Sequence, residues 1–193
     1  NLNSLRREAV DKLIKERIEI FTKDYPTKVI KDDRLSLFGD KSNYMEDKKE
    51  VAVYLKGDGY NPAKFVATGI DKLYLDYQEL SQEIIYYLKE SSSKDDFQIF
   101  AVLPRISRDK EMDNIRMRVQ ELAKTALDGF LIGNLGQLEL VKGLDKPFIT
   151  DFSLNVFNSA ALSFWEKEGA NGVTLSPELN LKEIKELVGD VNS

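Results

Sequence analysis

From Val51 onward the chain alternates short apolar runs with amphipathic segments, and this rhythm constrains the fold more than any other feature. The apolar runs begin near Val51, Lys72, Gln98, Gly129, Phe148 and Gly172. Between and after them lie segments with helical spacing around Pro62–Thr68, Tyr77–Glu90, Asp109–Leu127, Leu135–Lys142, Ser159–Glu168 and Leu181–Val188. Strands separated by helices pair in parallel, because each crossover returns the chain to the same end of the sheet. Gly69, Gly143 and Gly169 each stand where a helix gives way to a strand, as left-handed helix caps do. Six consecutive βα units predict an α/β fold: a parallel sheet, either open and doubly wound or barrel-like and two units short of the eight a closed TIM barrel needs. An incomplete barrel leaves unpaired strand edges, which invite homodimerisation or cover from another segment.

Residues 1–50 read differently from residues 51–193. Leu2 to about Phe21 forms an apolar stripe at helical spacing, with Asn3 or Ser4 as its cap. From Thr22 to Glu50 the chain is polar and charged, with short strands expected near Lys28–Ile30 and Leu35–Phe38. A connection of that length predicts a boundary between an N-terminal helical appendage and the βα domain.

The chain contains neither cysteine nor histidine. Disulfides, thiolate nucleophiles, Ser-His and Cys-His catalysis and thiolate–imidazole zinc sites are therefore excluded from these residues. Chemistry here falls to carboxylates, Lys, Tyr and Ser/Thr. A formal charge of −5 argues against general nucleic-acid binding, and 32% charged residues argue a solvated surface. The opening Asn-Leu-Asn-Ser-Leu-Arg carries no signal-peptide pattern and no apolar run reaches membrane-spanning length, so a cytoplasmic protein with no membrane partner is expected.

Polar residues gather where the strands end. Alternation puts Phe148, Thr150, Phe152 and Leu154 on one face of an extended run and Asp151, Ser153 and Asn155 on the other. The same bookkeeping places Lys56, Asp76 and Ser176 at strand ends, with Arg105 and Asn134 just beyond theirs. Parallel α/β proteins build their sites at this end, so these residues are expected to line one mouth. Asn158 belongs either to that mouth or to the cap of the following helix, and Ser176-Pro-Glu178 either to the site or to a turn. Phe164, Trp165, Tyr86 and Tyr87 are expected in the core.

Three runs resemble one family. Leu103-Pro-Arg-Ile-Ser-Arg108, Asp151-Phe-Ser-Leu-Asn-Val-Phe-Asn-Ser159 and Val173-Thr-Leu-Ser-Pro-Glu-Leu179 are similar to the collagenase-like (U-thirty-two) peptidases. The resemblance is specific from about Phe97 to Leu187, and the opening Asn3–Ala9 resembles a helix that precedes this region in longer members. It implies a TIM-barrel-like, incomplete βα domain belonging to the C-terminal region of a longer protein, and hydrolysis of protein substrates. The family supplies no catalytic residue to carry over, so under a hydrolase reading strand-end position alone makes Asp151 or Glu178 the group expected to activate water. Arg105 and Asn155 stabilise the oxyanion, and Asn134, Ser153, Asn158 and Ser176 contact substrate. The cysteine-rich motif of the family is absent, so any iron–sulfur cluster or metal is expected in the remainder of the parent protein, with no cofactor held by this chain. Relatives associated with RNA base hydroxylation imply the alternative, a recognition or assembly module in which Arg105, Arg108, Arg116 and Arg118 contact RNA phosphates.

Overall fold

The computed structural model describes residues 7–16, 50–57 and 59–188. They belong to two compact units, Asn1–Gly39 and Asp40–Ser193. In the first unit residues 7–16 form helix α1, within the stripe expected to be helical. The short strands expected near Lys28–Ile30 and Leu35–Phe38 lie outside the described residues.

The second unit is built on six parallel strands: β1 (Ala52–Tyr54), β2 (Lys72–Asp76), β3 (Gln98–Val102), β4 (Gly129–Ile132), β5 (Phe148–Thr150) and β6 (Gly172–Val173). They are joined by α2 (Pro62–Val66), α3 (Gln82–Glu90), α4 (Asp109–Ala123), α5 (Leu138–Val141) and α6 (Ser159–Lys167), and α7 (Leu181–Val188) follows β6. Spatial order follows chain order, β1 to β6, with no reversal. A doubly wound sheet needs a point where the order reverses, so that alternative is removed. Right-handed crossovers that always advance in one direction place every helix on the same face, and the sheet curls into a half-barrel.

Strand register assigns the two faces. Val53, Leu73, Ile99, Phe130 and Phe148 point one way with Leu75, Ala101, Ile132 and Thr150, and all but Val53 are buried. This convex face packs against α2 Val66, α3 Ile85 and Leu88, α4 Ile115, Val119 and Leu122, α5 Leu138 and Val141, and α6 Trp165. In α4 the buried positions recur every three or four residues, which is why one stripe of a highly charged helix suffices. The concave face carries Tyr54, Tyr74, Phe100, Val102 and Leu131. Phe100, Val102 and Leu131 are buried, yet they stand apart from the main core. Gly129 makes room for them: a Cβ there would lie 2.6 Å from the Phe100 ring and 2.5 Å from the Pro147 carbonyl oxygen.

At the N-terminal end, strands are braced in pairs. Asp71, one residue before β2, donates its N–H to the Val51 carbonyl (2.9 Å), and its Oδ2 accepts the Val51 N–H (2.7 Å). Asp128 before β4 does the same to Ile99 (3.0 and 2.6 Å), and Asn171 before β6 to Phe148 (2.9 and 3.2 Å). One polar side chain thus completes the ladder for β1–β2, β3–β4 and β5–β6. Lys94 pairs with Asp71 (2.5 Å) and Lys89 with Asp128 (2.6 Å), which balances the two carboxylates.

Several boundaries differ from the sequence expectation. Helix α3 begins at Gln82 with Ser81 as its cap, because Asp76 Oδ1 accepts the Gln78 N–H (2.9 Å) and folds the intervening residues into a turn. The segment expected as a helix from Leu135 opens with a 3-10 turn, Leu135–Gln137. Tyr86 and Tyr87 are exposed rather than core, since Ile85 and Leu88 already fill the buried stripe of α3. In α6 Trp165 is buried as expected, but Phe164 is exposed beside it. The three cap glycines do adopt positive φ (78°, 84° and 87°), a conformation that favours glycine. Among the described residues no helix is long and apolar enough to cross a membrane.

Candidate functional site

The run after β5 is a turn. The strand ends at Thr150, Asp151 caps a 3-10 turn over Phe152–Leu154, and Asn155 closes it in the left-handed region at φ 51°. The expected alignment of Asp151, Ser153 and Asn155 along one extended edge is therefore corrected: Asp151 is buried, Phe152 is exposed, and Asn155 faces solvent at the end of the turn. The physical reason is local. Asp and Asn side chains compete for backbone N–H groups and tolerate left-handed geometry, so the turn takes over as soon as the ladder stops.

That turn nevertheless brings Asp151 and Ser153 together. Asp151 Oδ2 accepts hydrogen bonds from Arg105 Nε (2.6 Å) and Ser153 Oγ (3.1 Å), while Oδ1 accepts the Phe152 N–H (2.8 Å). Ser153 Oγ also lies 2.9 Å from the Gly133 carbonyl oxygen, to which it is the other available partner. The Arg105 guanidinium rests 4.2 Å from the centre of the Phe152 ring, a cation–π contact. Gly133 is the wall behind it, since a Cβ there would come within 2.9 Å of Arg105 Cγ. Nε is thus committed, and among the described residues Nη1 and Nη2 make no hydrogen bond, on a side chain 36% exposed.

The loop that carries Arg105 is held by a buried amide. Gln137 is fully buried; its Oε1 accepts the N–H groups of Gly133 (2.7 Å) and Asn134 (3.3 Å), and its Nε2 donates to the Pro104 carbonyl. Asn134 Nδ2 donates to the Arg105 carbonyl (3.1 Å). The loops after β3 and β4 are fastened to each other just where Arg105 departs.

Across the concave face, β1 contributes Tyr54. Burial raises its phenol above the ordinary value of 10.0; Arg105 pulls it back down, and Asp151 and Asp76 push it up. Strands β1 and β5 are four steps apart, about 19 Å in a flat sheet. The curl of the half-barrel turns the ends of both strands toward one mouth. Tyr74, also pushed up by burial, stacks at 5.5 Å from Phe100 deeper on the same face. Raised folded-state values mean that stability is intact below the unfolded phenol value near 10 and falls as pH rises through the folded one. In an alkaline titration followed at 295 nm, Tyr54 and Tyr74 are expected to ionise later than an unperturbed phenol. Y54F should remove one late component, and R105Q should move it later still. A single ordinary transition for all tyrosines would refute this coupling.

The other expected site residues fall elsewhere. Asn158 caps α6, accepting the Ala161 N–H at 2.8 Å. Ser176 is buried; its N–H donates to the Val156 carbonyl (2.8 Å) and its Oγ accepts the Glu178 N–H (3.4 Å), which shapes a turn. Glu178 is exposed, and among the described residues its carboxylate makes no hydrogen bond or ion pair. Lys56 is exposed beyond β1. Asp76, Gln78, Pro104, Glu111 and Asn114 line a hollow of about 330 Å³ beside the ends of β2 and β3. Of the four arginines expected to meet phosphates, Arg105 is paired with Asp151, and Arg118 is held by Glu121 (2.9 Å) and the Leu80 carbonyl. The sequence reading missed Gln137 and gave Tyr54 no role in the site.

With these positions fixed, comparison with known proteins becomes informative. A family model described as Peptidase family U32 matches residues 63–192, about two-thirds of the chain and all of the site except Tyr54. This chain belongs to peptidase family U32. No curated protein and no solved structure matches it. Within this U32 protein, no group of three or more carboxylates converges to hold a metal ion among the described residues. Lacking cysteine, the chain has no thiolates for an iron–sulfur cluster, so its residues do not fit that group.

Proposed function

We propose that this U32 chain binds protein substrates across the concave mouth of its half-barrel and contributes to hydrolysing them. What supports the reading is the meeting of Arg105, Asp151 and Ser153 from two strand ends, at the mouth of the concave face that also carries Tyr54. A polypeptide offers that face carbonyl groups, and a guanidinium fork and a neutral phenol are the donors that grip carbonyl oxygens and stabilise a developing oxyanion. Asp151 accepts three hydrogen bonds, so its first task is to hold Arg105 in place. Activation of water falls to Asp151 itself or to a carboxylate with free oxygens, such as Glu178. Asn155, exposed beyond the turn, remains a candidate for the oxyanion alongside Arg105. Membership of peptidase family U32 favours the same substrate class.

The test is cleavage of fluorescence-quenched gelatin by this chain and by its D151N variant. Hydrolysis is expected in the wild type and a loss of at least about 100-fold in D151N, the scale on which removing a preorganised catalytic group is felt. Equal turnover would remove Asp151 from the chemistry. The RNA-recognition alternative has weaker support, because Arg118 is occupied by Glu121 and the Leu80 carbonyl and the chain is net acidic.

A further inference from the structure

The fork of Arg105 is oriented more tightly than generic substrate binding needs. Asp151 fixes the guanidinium from its Nε side, the Phe152 ring lies 4.2 Å from it, and Gly133 leaves no space for it to retreat. The Pro104 and Arg105 carbonyls are themselves tied to Gln137 and Asn134, so the backbone beneath the side chain is fixed as well. What remains is the edge formed by Nη1 and Nη2, with two parallel N–H groups and no partner among the described residues. A planar fork whose rotation is arrested on three sides suits bidentate recognition of a planar oxyanion. Tyr54, at the end of β1 on the concave face and partly exposed, opens onto the same mouth.

We infer that Arg105 and Tyr54 form a carboxylate-binding subsite that selects protein substrates bearing an acidic side chain. This rests on the peptide-binding reading above and adds the substrate class. A carboxylate fits the site better than a phosphate. Asp151 already balances the single cation and Asp76 also acts on Tyr54, so no surplus positive charge is left for a dianion or for the successive phosphates of a nucleic acid. A monoanion held by two N–H groups and one phenol O–H asks for geometry more than for charge.

The experiment compares two fluorescein-labelled peptides, built from Gly-Pro-Glu or Gly-Pro-Gln triplets and amidated at the C-terminus, by fluorescence anisotropy against the full chain. The Glu peptide is expected to bind about 10-fold more tightly, the scale of one charge-assisted hydrogen-bonded pair. R105K keeps the charge but loses the fork, and should abolish most of that preference. Y54F should reduce it about 3-fold, and both variants should melt within a few degrees of the wild type. Acetate should displace the Glu peptide at lower concentration than inorganic phosphate does.

Equal binding of the two peptides, no binding of either, an undiminished preference in R105K, or more effective displacement by phosphate would each overturn the inference. Cleavage of the same peptides, read in parallel, separates the two proposals. Selective binding without hydrolysis would leave the subsite standing and count against the peptidase reading. Hydrolysis without acidic preference would do the reverse.

Discussion

Replacement of Gln137 by alanine is expected to cost the fold about 3–5 kcal/mol, the largest effect of any polar substitution near the site. The side chain is fully buried and has a partner on each side. Its removal leaves the Gly133 N–H unsatisfied in a place water does not reach, at about 1–3 kcal/mol, takes from the Pro104 carbonyl its shortest hydrogen bond, leaving it the longer ones from Ser107 Oγ (3.3 Å) and Asn134 Nδ2 (3.5 Å), and adds a cavity. Urea denaturation of Q137A should show a lower midpoint at nearly unchanged slope. Q137M, which fills the space without hydrogen bonding, should recover only the cavity part. Because the same amide fixes the loop beneath Arg105, any activity that depends on Arg105 should fall even at temperatures where Q137A remains folded. An unchanged midpoint would show that this network does not hold the loops.

The second large effect belongs to the Arg105–Asp151 pair. Asp151 is buried while Arg105 is about one-third exposed, so R105Q strands a carboxylate that still has two donors, Ser153 and the Phe152 N–H. The expected cost is about 2–3 kcal/mol, below the 3–5 kcal/mol typical when one partner of a fully buried pair is removed. D151N alone should cost less, since it keeps the shape and removes only charge. The double variant R105Q/D151N should be more stable than the sum of the two single losses predicts, with a coupling of about 1–2 kcal/mol in a double-mutant cycle. Strict additivity would mean that the contact contributes little and that Arg105 is held by Phe152 and its backbone alone.

Every strand of the half-barrel was legible from its apolar run, because buried parallel strands need both faces covered and announce themselves by composition. The end of β5 was not. Phe148, Thr150, Phe152 and Leu154 continue a period of two beyond the point where the ladder stops, and alternation cannot say where hydrogen bonding ends. The signal lay in the residue types: Asp151, Asn155 and Asn158 are cap and turn residues, and all three cap helical turns, Asp151 and Asn158 at N-termini and Asn155 at a C-terminus. Gln137 was overlooked because a glutamine at a helix start reads as surface. Its spacing of three from Asn134, just after an apolar strand, was the capping-box pattern that marks it. Alternation puts Tyr54 on the face opposite Val53, but which strand ends share a mouth with it depends on the curl of the whole sheet. No local pattern encodes that.

Bracing by Asp71, Asp128 and Asn171 has a consequence for how such a sheet grows. Each of these side chains serves the strand before its own. The β2–β3 and β4–β5 seams are fastened at that end by lysines instead, Lys94 reaching Asp71 (2.5 Å) and Lys146 the carbonyl oxygens of Thr125 (3.0 Å) and Leu127 (2.7 Å). Ties of the two kinds alternate from seam to seam. A strand added at either edge would need a polar side chain of its own to be fastened at its base.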